Sequence, residues 1–460
     1  MTHRSARLCA ILVCVTAVNP TLGAQPLPLS LADATARALE NLPELAIQRD
    51  AITVAAQGEV RADAAYDSFL RIDSRLRTRT EPLNSLFVGA PEGALGPRTN
   101  SLFASVAWSR LFESGATLTG SASTSLERSN SLFALLAPAY FTSVGVEVRQ
   151  PLLAGRQIDP QRRALRVSAL DVSRGRAALE RLVSETVAAV ERAYWAVRAA
   201  REDVRIREQS LALAHAQRED TAARIDAGIA AEAELAAPQA EIARRRADLV
   251  RSRDEALRAE IGLRQLVAGT ADSPAWSTVF DLVDDPPAPS TVDPVDALVA
   301  DALTRRPELA DVDAARQIAE LDTALARERS RTQLDLVAAY NLRGLAGSEN
   351  PDLFVPFPGT TVTIPGAQLG GLDDSLQTLV THRFSDIYVG VSVMLPIGQR
   401  AAKADVVAAT LAERRTQLLR EQVAQRIATE VRMAAASLSA ARERLDAVVA
   451  LESAATDLLE

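Results

Sequence analysis

The chain has 460 residues, of which 48% are hydrophobic, 4% aromatic and 24% charged, which is ample material for a stable core. Its 51 basic and 59 acidic groups give a formal charge of -8, so there is no excess of basic side chains to meet nucleic-acid phosphates. Length alone suggests about three domains, yet 21 Gly and 22 Pro are too few for a string of linker-joined modules.

At the start, Arg4 and Arg7 precede an apolar run from Leu8 to Val18, and Leu22-Gly23-Ala24 offers a small-residue cleavage site. Residues 1–24 read as a secretory signal peptide, with a mature chain from Gln25. The run is about eleven residues, too short for a spanning helix of about 20. Both cysteines, Cys9 and Cys14, lie inside this segment, and neither sits in a lipoprotein-processing context. The exported chain is therefore expected to carry no disulfide, thiolate metal site or lipid anchor. No later apolar stretch approaches about 18 residues, which leaves a soluble protein or a membrane β-barrel.

The chain is an imperfect duplication. Leu39-Glu40-Asn41-Leu42-Pro43-Glu44-Leu45 matches Leu303-Thr304-Arg305-Arg306-Pro307-Glu308-Leu309, and Val144-Gly145-Val146-Glu147-Val148 with Pro151 matches Val389-Gly390-Val391-Ser392-Val393 with Pro396. Each half is expected to run helix, strand, long polar loop, strand, proline, long helix. The first repeat occupies 25–269, a Pro-rich extended linker 270–296, and the second repeat 297–460.

Residues 69–79 alternate: Leu70, Ile72 and Leu76 share one face, and Arg71, Asp73, Arg75, Arg77 and Arg79 the other. Leu334, Leu336, Tyr340 and Leu342 oppose Gln333, Asp335, Asn341 and Arg343; Val144, Val146 and Val148 oppose Gly145, Glu147 and Arg149; Val389, Val391 and Val393 oppose Gly390, Ser392 and Met394. Such strands suit a soluble half-buried sheet or an outer-membrane barrel. The long polar segments 80–100 and 344–384 favour the barrel, as loops returning outside the cell. Trp108, Tyr140, Phe141, Phe384 and Tyr388 are placed near strand ends, as interfacial aromatics. Glu113-Ser114-Gly115 allows an extra hairpin within 101–126, so the first half holds either two strands or four.

A heptad seam follows in Val183, Val190, Val197, Val204 and Leu211, with Ile225 two steps on. The return segment repeats it with Leu235, Ile242, Leu249, Ala256 and Leu263. This implies helices packed side by side with a supercoil. The first helix, from Gln161 to Ala227, would be about 100 Å long at ~1.5 Å per residue. Asp226-Ala227-Gly228-Ile229 reverses the chain.

Chemistry is sparse. Only His3, His215 and His382 are present, so His and Cys cannot form a metal cluster, and no nucleophile elbow, P-loop or dinucleotide glycine pattern occurs. Acids such as Glu191, Glu202 and Asp203 fall within the heptads as a solvated helical face. No catalytic, cofactor-binding or metal residues are assigned, and no enzyme activity is expected.

In order and duplicated behind a signal peptide, these pieces resemble the TolC-type outer-membrane efflux and secretion channels over about residues 29–460. The specific stretches are LSLADATARALENLPELAIQRD, VRQPLLAGR around Pro151, RIDAGI at the hairpin turn, and ALVADALTRRPEL. The resemblance implies a mixed α and β fold. Each protomer would supply a share of a trimeric transmembrane β-barrel continued by a long periplasmic α-helical coiled-coil barrel. It implies a passive conduit in the outer membrane, partnered by a periplasmic adaptor and an inner-membrane transporter, in an efflux pump or a type I secretion system. Arg224, Asp226, Gly228 and Ile229 match the tip that meets the adaptor; Pro151 and Pro396 match the strand-to-helix corners. Arg71, Arg75, Arg77 and Arg79 would then face the lumen and favour anionic solutes. The second repeat is expected to be C-terminally incomplete, because Glu443, the match of Glu202, is followed by 17 residues where Glu202 is followed by 67 before the close of the first repeat at Gly269. The competing readings are a periplasmic adaptor-like or other coiled-coil scaffold, which needs neither duplication nor a lipid-facing strand phase, and an exported enzyme of unfamiliar fold.

Overall fold

A computed structural model describes residues 27–83, 89–286, 293–355, 359 and 361–459. The expected signal segment, with Cys9 and Cys14, lies outside the described residues. Two compact units form, each from two stretches of chain: residues 27–49 with 179–292, and residues 50–178 with 293–459.

The first unit holds β1 (Leu27–Leu29), α1 (Leu31–Asn41), the start of α2 (Pro43–Asp63), most of α3 (Pro160–Asp226), α4 (Ala236–Ala268) and β6 (Phe280–Leu282). Ser30 caps α1, its hydroxyl accepting the Asp33 N–H at 3.0 Å. The core consists of Leu29, Ala34, Ala38, Val190, Tyr194, Val197, Leu263, Val267 and Phe280. Each fully buried Leu or Val here contributes about 1.5–3 kcal/mol. None of the predicted heptad positions from Val183 to Leu263 is exposed, and Val190, Val197, Leu249, Ala256 and Leu263 are buried. The seam therefore packs α3 against α4 as the seven-residue spacing requires.

The Pro-rich join, expected as an extended linker, is anchored in its described residues 270–286. Its β6 pairs in parallel with β1, Phe280 is buried, and the Asp284 N–H reaches the Tyr194 hydroxyl at 3.3 Å. That hydroxyl donates to the Leu29 carbonyl at 3.0 Å, so one buried phenol ties three distant segments together. Burial raises its pKa above the usual tyrosine value.

The second unit holds a six-stranded antiparallel sheet of β2 (Ser68–Thr80), β3 (Arg98–Leu111), β4 (Thr117–Ser129), β5 (Leu136–Pro151), β7 (Gln333–Glu349) and β8 (Phe384–Met394), in that order. The first half thus supplies four strands. The extra hairpin turns at Glu113-Ser114-Gly115, where Gly115 takes φ 82° and the Phe112 N–H bonds Ala116 O at 2.8 Å. The two halves of the chain meet where β5 pairs with β7, Val144 opposite Leu342.

Also in this unit are α5 (Val295–Arg305), α6 (Pro307–Arg329), α7 (Leu372–Val380) and α8 (Arg400–Leu459). Leu309 and Val312 of α6 pack on Val423 and Ile427 of α8, and Arg420 bonds Asp313 at 2.7 Å. The α5–α6 break repeats the α1–α2 break. Leu42 and Arg306 are both extended C-caps whose N–H groups return to Ala38 O and Ala302 O, each followed by a proline that opens the next helix. Two expectations need correction here. The segment 344–384 is not simply a loop, because β7 continues to Glu349 and α7 lies within it. Likewise the corner prolines end strands without starting helices. Pro151 closes β5, but α3 opens at Pro160, where the Arg162 N–H bonds the Asp159 carboxylate at 2.7 Å. Pro396 follows β8, but α8 opens at Arg400 after the left-handed Gly398 and Gln399.

Candidate functional site

The sheet is two-faced across its whole width. Directly paired residues point to the same side, so the register can be followed from strand to strand. One row runs Leu70, Trp108, Gly120, Val146, Tyr340, Ile387, and a parallel row begins Ile72, Val106, Ala122, Val144, Leu342. Lower on this face, Val148, Ala338 and Val389 lie side by side. These apolar side chains remain uncovered: Ile72 and Val389 are each 71% exposed. A contiguous apolar surface of this extent marks a face that meets something other than water.

The opposite face is polar over its two central rows, with Phe103, Phe141 and Leu345 in the next row towards the loops. Its rows run Asp73, Ser105, Ser123, Ser143, Arg343 and Arg71, Ala107, Ser121, Gly145, Asn341, Asp386. The Ser123 and Ser143 hydroxyls bond at 2.7 Å. The Tyr388 hydroxyl reaches over Ala339 to donate to Glu147 at 3.4 Å, and Arg149 pairs with Asp335 at 3.5 Å. Arg71, Arg75, Arg77 and Arg79 all stand on this face at the β2 edge. Arg71 is paired with Asp73 at 3.5 Å and Arg79 with Glu81 at 2.7 Å, while Arg75 and Arg77 have no ion-pair partner among the described residues. The free positive charge on this strand is thus that of two arginines.

The interfacial-aromatic reading holds its geometry only for Trp108 and Tyr140, which lie on the apolar face. Phe141, Phe384 and Tyr388 lie on the polar face, and Tyr388 is near the middle of β8, because period two separates neighbours that sequence proximity groups together. Two features escaped the sequence reading. One is the polar ladder of β4, signalled by Ser121, Ser123 and Ser125 in alternation; the other is α7, signalled by Leu372, Leu376 and Val380 at spacing four.

In the first unit, α3 ends in a Schellman turn. The Gly228 N–H bonds Ile225 O at 2.8 Å and the Ile229 N–H bonds Arg224 O at 2.9 Å, with Gly228 at φ 76°. Arg224, Asp226, Gly228 and Ile229 are brought together as an exposed tip, Ile229 being 72% exposed. A short 3-10 turn, Glu232–Leu235, then leads into α4.

Residues 117–269 match the family model for outer membrane efflux proteins. No curated protein matches the sequence. Among solved structures, the outer-membrane channel OprN superposes with a TM-score of 0.57 at 16% identity, over 92% of this chain and 76% of that one. The outer membrane protein VceC of Vibrio cholerae gives 0.57 at 13% identity, over 90% and 80% respectively. CusC gives 0.53 at 14% identity, over 91% and 77%. The chain therefore has the fold of the TolC-type outer-membrane channels, and the stretch from the start of β4 to the close of α4 is similar to outer membrane efflux proteins in sequence.

Proposed function

We propose that the protein is the outer-membrane channel component of an efflux pump or type I secretion system, a passive conduit that spans the outer membrane and extends into the periplasm. The observation that carries this reading is the six-stranded sheet with one continuous apolar face, one polar face and two open edges, β2 and β8. In hydrocarbon every backbone N–H and C=O must be paired, so a lipid-facing sheet with open edges has to close on itself or on copies of itself. Six alternating strands leave β2 and β8 running in opposite directions, the sense needed for β8 of one copy to pair with β2 of the next. Three copies would supply eighteen strands, a number that leaves an aqueous channel.

In such a barrel the apolar rows meet lipid, and the serine rows and the β2 arginines line water. The tip formed by Arg224, Asp226, Gly228 and Ile229 is the surface offered to a periplasmic adaptor, an inner-membrane transporter supplying the energy. The test is fractionation of expressing cells followed by native mass determination and single-channel recording. Recovery in the outer membrane as a conducting trimer is expected; a soluble periplasmic monomer that forms no pore would defeat the reading.

A further inference from the structure

The apolar face of the sheet is not bare everywhere. Near the loop ends of β5 and β7, α7 lies on that same face, held by polar contacts that it turns inward. The Ser375 hydroxyl donates to Tyr140 O at 3.0 Å and lies 2.9 Å from the Thr142 hydroxyl, and the Leu345 N–H bonds the Thr378 hydroxyl at 3.2 Å. Ser375, Thr378 and Leu379 are buried. The close approach depends on Gly344: a Cβ there would lie 2.1 Å from Ser375 O and 2.4 Å from the Thr142 hydroxyl.

What α7 presents outward is divided. Leu372, Leu376 and Val380, at i, i+4 and i+8, form a ridge that is 40%, 47% and 70% exposed. Next to it, Asp373, Gln377 and Thr381 form an exposed polar ridge. The order around the helix is therefore sheet-facing polar groups, an apolar ridge, then charge. α7 buries Leu379 together with Ser375 and Thr378 and still leaves Leu372, Leu376 and Val380 in the open beside a charged ridge, an arrangement that suits a helix lying in a membrane interface. α7 sits over the Thr142–Gly344 pair of β5 and β7, the next pair on this face after Val144–Leu342. β5 is an interior strand, and β7 is paired with β8 as far as Arg343, beyond which Thr378 takes the Leu345 N–H.

We propose that α7 is an interfacial membrane helix, seated on the lipid face of the sheet and immersed by its Leu372, Leu376 and Val380 ridge in the acyl chains of the outer leaflet. This rests on the reading of the sheet as a membrane wall. The nine residues span about 13 Å along the interface at ~1.5 Å per residue. Their hydroxyls satisfy polar groups that would otherwise face lipid, and Asp373 and Gln377 meet the headgroups.

The sequence has no cysteine after Cys14, which makes site-specific labelling direct. In full-length protein with Cys9→Ala and Cys14→Ala, single variants Leu376→Cys, Ile72→Cys and Ser121→Cys are labelled with a polarity-sensitive fluorophore. They are reconstituted in phosphatidylcholine vesicles with and without doxyl-labelled acyl chains. Labels at positions 376 and 72 should lose at least half their emission to the doxyl lipid, and the label at 121 should not. Adding Gly344→Leu should abolish quenching at 376 and leave it at 72. Quenching at 72 without quenching at 376 overturns the proposal for α7 while leaving the membrane wall intact. Absence of quenching at both positions overturns the membrane wall and α7's role with it.

Discussion

Ser121 and Ala122 are consecutive residues of β4 that stand at the same depth on opposite faces, and they offer a direct test of the two-faced wall. Ala122 lies between Val106 and Val144 on the apolar face, and Ser121 between Ala107 and Gly145 on the polar face. Both are exposed, and the pair sits near the middle of the strand. An arginine on the lipid face of a barrel at mid-depth costs about 2–4 kcal/mol. At Ser121 the small neighbours leave room and water is present, so the change should stay within about 0.5 kcal/mol. Ala122→Arg should therefore lower the folding equilibrium by about 30-fold to several hundred-fold, since ~1.4 kcal/mol is tenfold. Ser121→Arg should change it by less than about threefold. The assay is urea titration of protein folded into lipid vesicles, followed by tryptophan fluorescence. Equal penalties at the two sites, or a larger one at Ser121, would refute the assignment of faces.

Three further outcomes are expected. Tyr194→Phe should lower stability by about 1–2 kcal/mol in urea unfolding, because it removes the hydroxyl bonded to Leu29 and Asp284 while Val283 N–H, at 3.4 Å, still reaches the Leu29 carbonyl. The folded state holds this phenol's proton more tightly than the unfolded chain does, so its contribution is intact below the ordinary pKa of about 10 and is lost as pH rises beyond it. Tyr194→Phe should flatten that alkaline loss, and an unchanged alkaline midpoint would count against it. Gly228→Val should destabilise the hairpin tip by about 1–2 kcal/mol through its left-handed backbone, seen as faster hydrogen exchange over residues 222–232 with exchange at Val190 and Val197 unchanged. In bilayer recordings, Arg75→Gln with Arg77→Gln should shift the reversal potential towards cations, because Arg71 and Arg79 are already offset by Asp73 and Glu81 and the two substitutions remove the net positive charge of the strand. An unchanged reversal potential would remove the arginine column as a selectivity element.

Much of the local structure is legible in residue spacing. The seam from Val183 to Leu263 predicts which positions of α3 and α4 are covered, because seven-residue periodicity is a property of two helices in contact. The phase of β2, β5, β7 and β8 is equally plain in alternation. Other features depended on which strands become neighbours. Phe141 and Tyr140 are adjacent in sequence and opposite in space, and the belt of five aromatics dissolves once register separates them. Glu113-Ser114-Gly115 allowed either strand count; pairing of β3 with both β2 and β4 settles four, since a strand finds its partners only through the ladder.

The sequence by itself determined the two kinds of element, the phase of the strands and the matched breaks at Leu42 and Arg306, because periodicity and cap residues are encoded within short windows of chain. Only the tertiary structure decided that the halves join through β5 and β7 into a single six-stranded wall with open ends. It alone laid α7 across that wall, with Ser375, Thr378 and Leu379 turned inward and Leu372, Leu376 and Val380 out. Those choices rest on contacts between residues some 200 positions apart, such as Thr142 with Ser375, and no local pattern of hydrophobicity specifies which distant partner a backbone edge or a hydroxyl will meet.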